Sequence, residues 1–447
     1  MATRPPFLKM RYGAYFHRDL PGEDAELTHV GPGTACGEYL RRFWQPVCLS
    51  DELRDLPVRL KIMGEDLVAF RGRSGSVGLL ELHCPHRGTS LEFGLVDDQG
   101  IRCCYHGWLF APDGTILEMP GEPAVSTLKD RLHHGAYPTH EHLGIVFAYM
   151  GPPAHQPPFP AYDCFARPGY RSAPGPKYTY PCNWLQIMEN VMDPAHTVFL
   201  HTIVSGAVFT DQFGVLPELE FLETPVGMIY IAIRRVGDNV WSRMAEAIQP
   251  NLQQVPPIWE DGRTEHAFSG PMGSRWIVPI DDTNTVFFEL RYANESPGVT
   301  PLWWADGTMI PAQLPAGTYE ASQRQPGDYE AQVSQRPIAV HALEHLVATD
   351  RGIAMFRNQV RRGIRVVQAG HQPEGLNRRH GSVIATYCND TVERIPTNPN
   401  SANDRELMRK RGRQLAEHYM KNPPLLGARP AIAATEPHEK ELQTWRT

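Results

Sequence analysis

Two short stretches limit what this chain can fold around more than any other feature: CPHRG at 84–88 and CCYHG at 103–107. Cys84 and His86 are separated by one residue, Cys103 and His106 by two, and sixteen residues lie between His86 and Cys103. Each pair joins a thiol to an imidazole. Gly88 and Gly107 follow, where a backbone free to take positive φ can turn tightly beside a metal. Two matched hairpin tips gripping one site would satisfy this pattern. The remaining cysteines, at 36, 48, 104, 164, 182 and 388, are sparse for a disulfide scaffold. A formal net charge of −7 argues against a general basic field for nucleic acid. The N-terminal MATRPPFLKMRYGAYF lacks an apolar core of signal-peptide length, and no run of about 18 uncharged apolar residues occurs. The expectation is a cytoplasmic protein that neither enters a membrane nor binds nucleic acid.

Zinc is one reading of two thiols and two imidazoles, but structural zinc sites usually pair cysteine with cysteine and histidine with histidine. Here each half carries one of each type. A Rieske [2Fe–2S] centre takes two thiolates on one iron and two imidazoles on the other. Cys84 and Cys103 would bind one iron, His86 and His106 the other. The C-x2-H spacing selects Cys103 over Cys104, which is expected to be a buried thiol that binds no metal. Trp108 and Tyr105 are expected to pack around the cluster. Imidazole ligation raises the potential above that of all-cysteine clusters.

The expected fold class is α+β. Residues 58–150 read as short strands separated by frequent turns, with one turn at Gly64-Glu65-Asp66. The proline-rich GPPAHQPPFP at 151–160 marks a boundary. Beyond it the sequence predicts a helix after Trp184, strands through ELEFLETPVGMIYIAIRRVGDN and SRWIVPIDDTNTVFFELRYA, helical pattern from Asp328 to about Gln368, and a charged helix at 402–421. The expected division is an N-terminal segment at 1–40, a β-domain at 41–155, a mixed domain at 156–425 and a tail at 426–447.

A second metal site is expected in NWLQIMENVMDPAHTVFLH, which holds Asp193, His196 and His201. Five residues on a regular helix turn the chain by about 500°, so the two histidines would point roughly 140° apart. They can share an ion only if the helix is distorted or broken. Asp193-Pro194 offers a helix start inside the stretch. Two histidines and a carboxylate would hold iron(II) with open positions for oxygen and substrate.

With CPHRG…CCYHGW and the D-x2-H-x4-H pattern both present, the chain resembles the oxygenase (alpha) component of Rieske non-haem iron aromatic-ring-hydroxylating oxygenases. GPGTACGEYLRRFWQPVCLSDEL, VRLKIMGEDLVAFR and LEHLVATDRG make it look similar to the phthalate dioxygenase branch, over about Gly31 to Gly363. The resemblance implies an all-β Rieske domain followed by a helix-grip-like catalytic domain with a central antiparallel sheet. It implies His196 and His201 as ligands of a mononuclear iron. The third ligand would be an aspartate opening a helix, with Asp328 in GDYEAQVSQRP the candidate and Asp350 its competitor. It implies that Asp193 bridges the two centres, touching His196 and His106 of a neighbouring subunit, and that Asn190 is a polar group near the iron. A homo-oligomer follows, a trimer or a stack of two trimers. Electrons would come from NAD(P)H through a separate flavin and [2Fe–2S] reductase or a ferredoxin, and O2 would be the co-substrate. This chain has no G-x-G-x-x-G after a strand to bind the nicotinamide itself.

The implied reaction is hydroxylation of an aromatic, carboxylated substrate, or O-demethylation of a methoxylated one. Arginine suits a carboxylate because its planar fork matches it. Arg234, Arg235 and Arg243 lie in IAIRRVGDNVWSR, and alternation lets only one of Arg234 and Arg235 face inward. Residues 298–327 form a long loop that would lid the cavity, with Trp303 or Trp304 against the substrate. An electron carrier using the cluster alone, or a zinc-stabilised binding protein, are the readings from other classes.

Overall fold

The computed structural model describes residues 21–206, 208–259, 262–295, 313–315, 317–376, 381–424 and 426. Trp304 and Trp303, the first half of the expected N-terminal segment and nearly all of the tail lie outside the described residues.

The N-terminal half is built from short antiparallel strands. Trp44–Leu49, Ile145–Tyr149 and Thr139–His142 form one sheet, and Val58–Ile62, Glu65–Arg71 and Val77–Glu81 another. The turn between Ile62 and Glu65 sits at Met63-Gly64, one residue before the expected position, with Gly64 at φ +80°. A four-stranded meander follows: Leu95–Val96, Ile101–Arg102, Leu109–Phe110 and Ile116–Glu118. Val68, Phe70, Leu80, Leu91, Ile101 and Phe110 pack into a small core that also holds Cys84 and Cys103. That core supports the two tips.

The second half is organised by one large antiparallel sheet. Its main path runs Tyr170–Pro174, Asn284–Asn294, Gly273–Asp281, Leu252–Val255, Asn239–Ile248, Gly227–Val236, Glu218–Thr224. Alternation along Gly227–Val236 divides two cores. Met228, Tyr230 and Ala232 face the main core, which includes Trp184, Met188 and Phe356. Ile229, Ile231 and Ile233 face Met408 and Leu415 of the helix Ser401–Lys421. The helices Trp184–Val191 and Arg351–Gln368 therefore lie on one face and Ser401–Lys421 on the other. The helical pattern expected from Asp328 to Gln368 is interrupted. Asp328–Val333 is a short helix, and regular helix resumes only at Arg351.

Candidate active site

The two Cys/His tips have the same backbone scaffold. Cys84 N–H donates to Thr89 O at 2.9 Å, and Cys103 N–H to Trp108 O at 2.8 Å, five residues on in each case. Gly88 N–H closes onto Cys84 O and Gly107 N–H onto Cys103 O, at 2.8 and 3.1 Å. The two glycines take φ +75° and +74°, a region that favours glycine. Cys84 and Cys103 are each only 3% exposed. His86 and His106 are exposed, with ring centroids 4.4 Å apart. His86 stacks on Trp108 at 4.9 Å, so that indole packs directly against a tip, as does Tyr105 at 3.8 Å from the His106 ring.

Burial, then the neighbouring Cys103, raises the Cys84 thiol to about 11, although the His86 and Arg87 amides pull the other way. Bound iron would supply the positive charge that thiolates in such a place require. The donor set therefore fits a cluster with buried thiolates and exposed imidazoles. Cys104 departs from expectation: it is exposed. It follows Cys103 into the tip, and the chain there turns it outward.

The second site forms where regular helix fails. Trp184–Val191 is capped by Asn183, whose side chain accepts from Leu185 N–H, and it ends at Met192. Asp193 then turns the chain, its Oδ1 accepting from Ala195 N–H at 3.1 Å. A single α turn, His196–Val198, passes into a π-helical segment, Phe199–Val204. The i→i+5 bonding of a π turn brings residues five apart onto one side. That removes the angular problem of His196 and His201, whose Nε2 atoms stand 3.2 Å apart.

Asp328 arrives from a remote segment as the first residue of its helix. Its Oδ1 is 3.3 Å from His201 Nε2 and 3.6 Å from His196 Nε2. Donors at right angles around one ion, with bonds of about 2.1 Å, stand roughly 3 Å apart. The three side chains thus match a facial triad around one metal, and Asp328 Oδ1 is buried with no hydrogen-bond partner among the described residues. Burial raises the Asp328 carboxyl, but His201, His196 and Gln313 outweigh it and hold it down at about 2. Burial lowers His196. An ionised carboxylate beside neutral imidazole suits a divalent cation. Asp350 lies elsewhere, at the start of Arg351–Gln368, where its Oδ2 accepts from Val347 N–H at 2.8 Å.

Asp193 stands behind the first histidine. Its carbonyl contacts His196 Nδ1, and its carboxylate lies 3.9 Å from the same nitrogen, with the side chain 28% exposed. Burial, against the pull of His196, raises its carboxyl. Asn190 lines the cavity beside the triad. That cavity measures about 130 Å³ and is walled by Ile187, Val191, Phe209, Phe213, Met272 and Phe287, with Arg243 and Arg275 among its polar groups.

The sequence-selected arginines separate as alternation requires. Arg234 is buried under the cavity floor, donating to Thr197 Oγ1 at 2.9 Å and lying over the Phe213 and Trp241 rings. Arg235 points to the other face of the sheet and grips Asp404 with two bonds of 3.0 and 2.6 Å, so it is a structural ion pair away from the cavity. Sequence reasoning missed Arg275 and Gln313. Gln313 lies fifteen residues before Asp328 in sequence, in the stretch read as a lid, and no motif surrounds it.

A buried pair of thiols under two exposed imidazoles, joined to a domain with a two-histidine, one-carboxylate site, defines an iron–sulfur oxidoreductase with a second metal centre. Residues 43–129 match the Rieske [2Fe-2S] domain family. The chain is 41% identical over 437 residues, 90% of each protein, to the tert-butanol monooxygenase / tert-amyl alcohol desaturase oxygenase subunit of Aquincola tertiaricarbonis. It is 37% identical to the phenoxybenzoate dioxygenase subunit alpha of Ectopseudomonas oleovorans, over 84% of this chain and 93% of that one. The fold is similar to that of NdmA from Pseudomonas putida CBB5, at TM-score 0.59 and 18% identity, over 75% of this chain and 94% of that structure. The chain belongs to the Rieske non-haem iron oxygenases, as an oxygenase component. Its cofactors are a Rieske [2Fe–2S] cluster and a mononuclear iron, and enzymes of its kind receive electrons from a reductase or ferredoxin and form oligomers. Among the described residues no helix is long and apolar enough to cross a membrane.

Proposed function

We propose that Cys84 and Cys103 hold one iron of the cluster and His86 and His106 the other, and that His196, His201 and Asp328 hold the mononuclear iron. When bound, the cluster carries single electrons that originate from NAD(P)H on a partner, and the iron activates O2 for insertion into a substrate. Convergence of the three donors within 3.2–3.6 Å carries this reading. Asp193 contacts one ligand histidine from behind while its carboxylate stays open to the surface. That position supports a link to His106 of a neighbouring subunit in a trimer or stacked hexamer, and Asn190 supplies a polar group at the cavity wall. On this reading 41–155 is the cluster domain, 156–425 the catalytic domain, 1–40 an N-terminal segment and 426–447 a tail, in a cytoplasmic enzyme.

A cavity of about 130 Å³ is close to the roughly 150 Å³ that holds one benzene molecule. The substrate is accordingly a compact molecule, a single-ring aromatic acid that is ring-hydroxylated or, if methoxylated, O-demethylated. One observation favours a second reading. Arg275 is paired with Glu289 at 3.2 Å, and Arg243 donates to the Pro257 and Pro256 carbonyls at 2.6 and 3.0 Å. Guanidinium groups already engaged suit an uncharged substrate, such as the small tertiary alcohols for which the 41%-identical relative is named.

A single turnover of reduced protein with isotopically labelled O2, offered benzoates, methoxybenzoates and tertiary alcohols, separates these readings by mass. A diol with two labelled atoms marks ring dioxygenation, formaldehyde marks demethylation, and a singly labelled diol from a tertiary alcohol marks the second reading. In the same assay His201→Ala should keep the visible spectrum of the cluster and lose product formation beyond ~100-fold. Undiminished product from that variant would remove the iron site.

A further inference from the structure

We propose that Gln313 is a positioning residue that takes one carboxylate oxygen of Asp328 and so decides which oxygen the mononuclear iron receives. The proposal rests on the reading of Asp328 as an iron ligand. Gln313 Nε2 donates to Asp328 Oδ2 at 2.5 Å. Oδ1, the other oxygen, faces both histidine Nε2 atoms and has no hydrogen-bond partner among the described residues. The carboxylate is thus divided in use, one oxygen for the protein and one for the metal.

The orientation of the amide is fixed by its surroundings. Gln313 Oε1 accepts from Arg275 Nη1 at 3.2 Å and from the Tyr178 hydroxyl at 3.4 Å, and the Tyr180 hydroxyl donates to the Gln313 backbone carbonyl at 2.8 Å. With two donors on the oxygen side, only the NH2 end can face Asp328. Arg275 is itself held by Glu289 at 3.2 Å. Glu289 and Arg275 belong to adjacent, paired strands of the large sheet, where they stand opposite each other. The sheet thereby sets the angle of a ligand carried by a remote helix.

A carboxylate with both oxygens available can rotate, or give both to the metal and occupy a further coordination position. A hydrogen bond to Oδ2 restrains the rotation and makes Oδ2 a poorer donor than Oδ1, so it favours a single metal–oxygen bond. Hydrogen bonds to metal-bound carboxylates of this kind typically govern affinity by about 10–100-fold.

The test measures iron(II) affinity by chelator competition on protein whose cluster spectrum and thermal midpoint are intact, together with the electron paramagnetic resonance of the iron–nitric oxide adduct. Gln313→Leu should weaken iron binding by about 10–100-fold and alter the nitric oxide signal. Gln313→Glu, which keeps the side-chain length but puts an acceptor where the donor stood, should likewise alter the nitric oxide signal. Asp328→Ala should abolish binding. If Gln313→Leu binds iron like the parent with an unchanged signal while Asp328→Ala does not bind, the proposal is overturned and the ligand assignment stands. If Asp328→Ala binds iron normally, both fall.

Discussion

Glu246 lies fully buried within the strand Asn239–Ile248, its Oε2 accepting from Tyr387 N–H at 2.6 Å and its Oε1 from the Thr224 hydroxyl at 3.1 Å. Burial pushes its carboxyl up to about 8, and those hydrogen bonds only partly oppose it. The folded chain keeps this proton to about pH 8, whereas the unfolded chain releases it near 4.5. The folded state therefore binds more protons between those values, and stability falls as pH rises across the window. Below it the contribution is complete. Glu246→Gln should come within about 1 kcal/mol of the parent at pH 5 and exceed it at pH 8 by on the order of a few kcal/mol. Thermal midpoints at pH 5, 6.5 and 8 would show this, and parallel curves for the two proteins would refute it. Nothing in the local sequence announces such a residue, because Tyr387 is 141 positions away. The same limit explains Arg235, readable as a candidate clamp until Asp404, 169 residues on, is seen to hold it. The side chains proposed to bind metal were found from sequence for the opposite reason. Cys84 with His86, and His196 with His201, carry their spacing in the local chain, and the fold brings each pair together. Cys104, expected to be buried, was misjudged because spacing singles out a candidate thiol but does not say where its neighbour points.

At the scale of elements, alternation and helical period predicted the strands and the two long helices, but could not foresee the π-helical Phe199–Val204, whose i→i+5 bonds depend on packing. Helix packing also hides a constraint in Arg351–Gln368. A β-carbon at Gly363 would stand 2.3 Å from Cε2 of Tyr39, a buried ring whose hydroxyl donates to Gln249 Oε1 at 2.5 Å. Alanine in place of glycine gains up to about 1 kcal/mol of helix propensity. Overpacking against a ring that is held at its far end costs about 1–3 kcal/mol, so the clash should win. Gly363→Ala is expected to lower the unfolding midpoint of the catalytic domain, and a midpoint equal to or above the parent's would mean that Tyr39 yields freely. The helix matters to the site because its Arg357 grips Glu189 of Trp184–Val191 with bonds of 2.5 and 2.8 Å, holding the helix that leads into the histidines.

For the whole molecule, the tips and the triad each present one open side. His86 and His106 are exposed, and Tyr105, Phe93 and Leu95 leave apolar surface uncovered. On the catalytic domain, Asp193 is open behind His196, and Leu346 and Val347 are exposed. Two incomplete surfaces on one chain fit a head-to-tail ring, in which each cluster serves the iron of the next subunit. Subunit mixing tests this directly. A chain with His201→Ala keeps its cluster and lacks the iron site, while a chain with Cys84→Ala keeps the iron site and lacks the cluster. Each alone should be inactive. Co-expressed at equal levels with different tags and purified through both, they should regain activity wherever an intact cluster precedes an intact iron site around the ring. In a doubly tagged trimer that holds at one of the three interfaces, about a third, and in a randomly mixed stack of two trimers at about a quarter. Recovery of that order, rising when the wild-type chain is added, would establish transfer between subunits. Doubly tagged oligomers with full metal content at the intact sites and no turnover would place the electron path within one chain and remove the bridging role of Asp193.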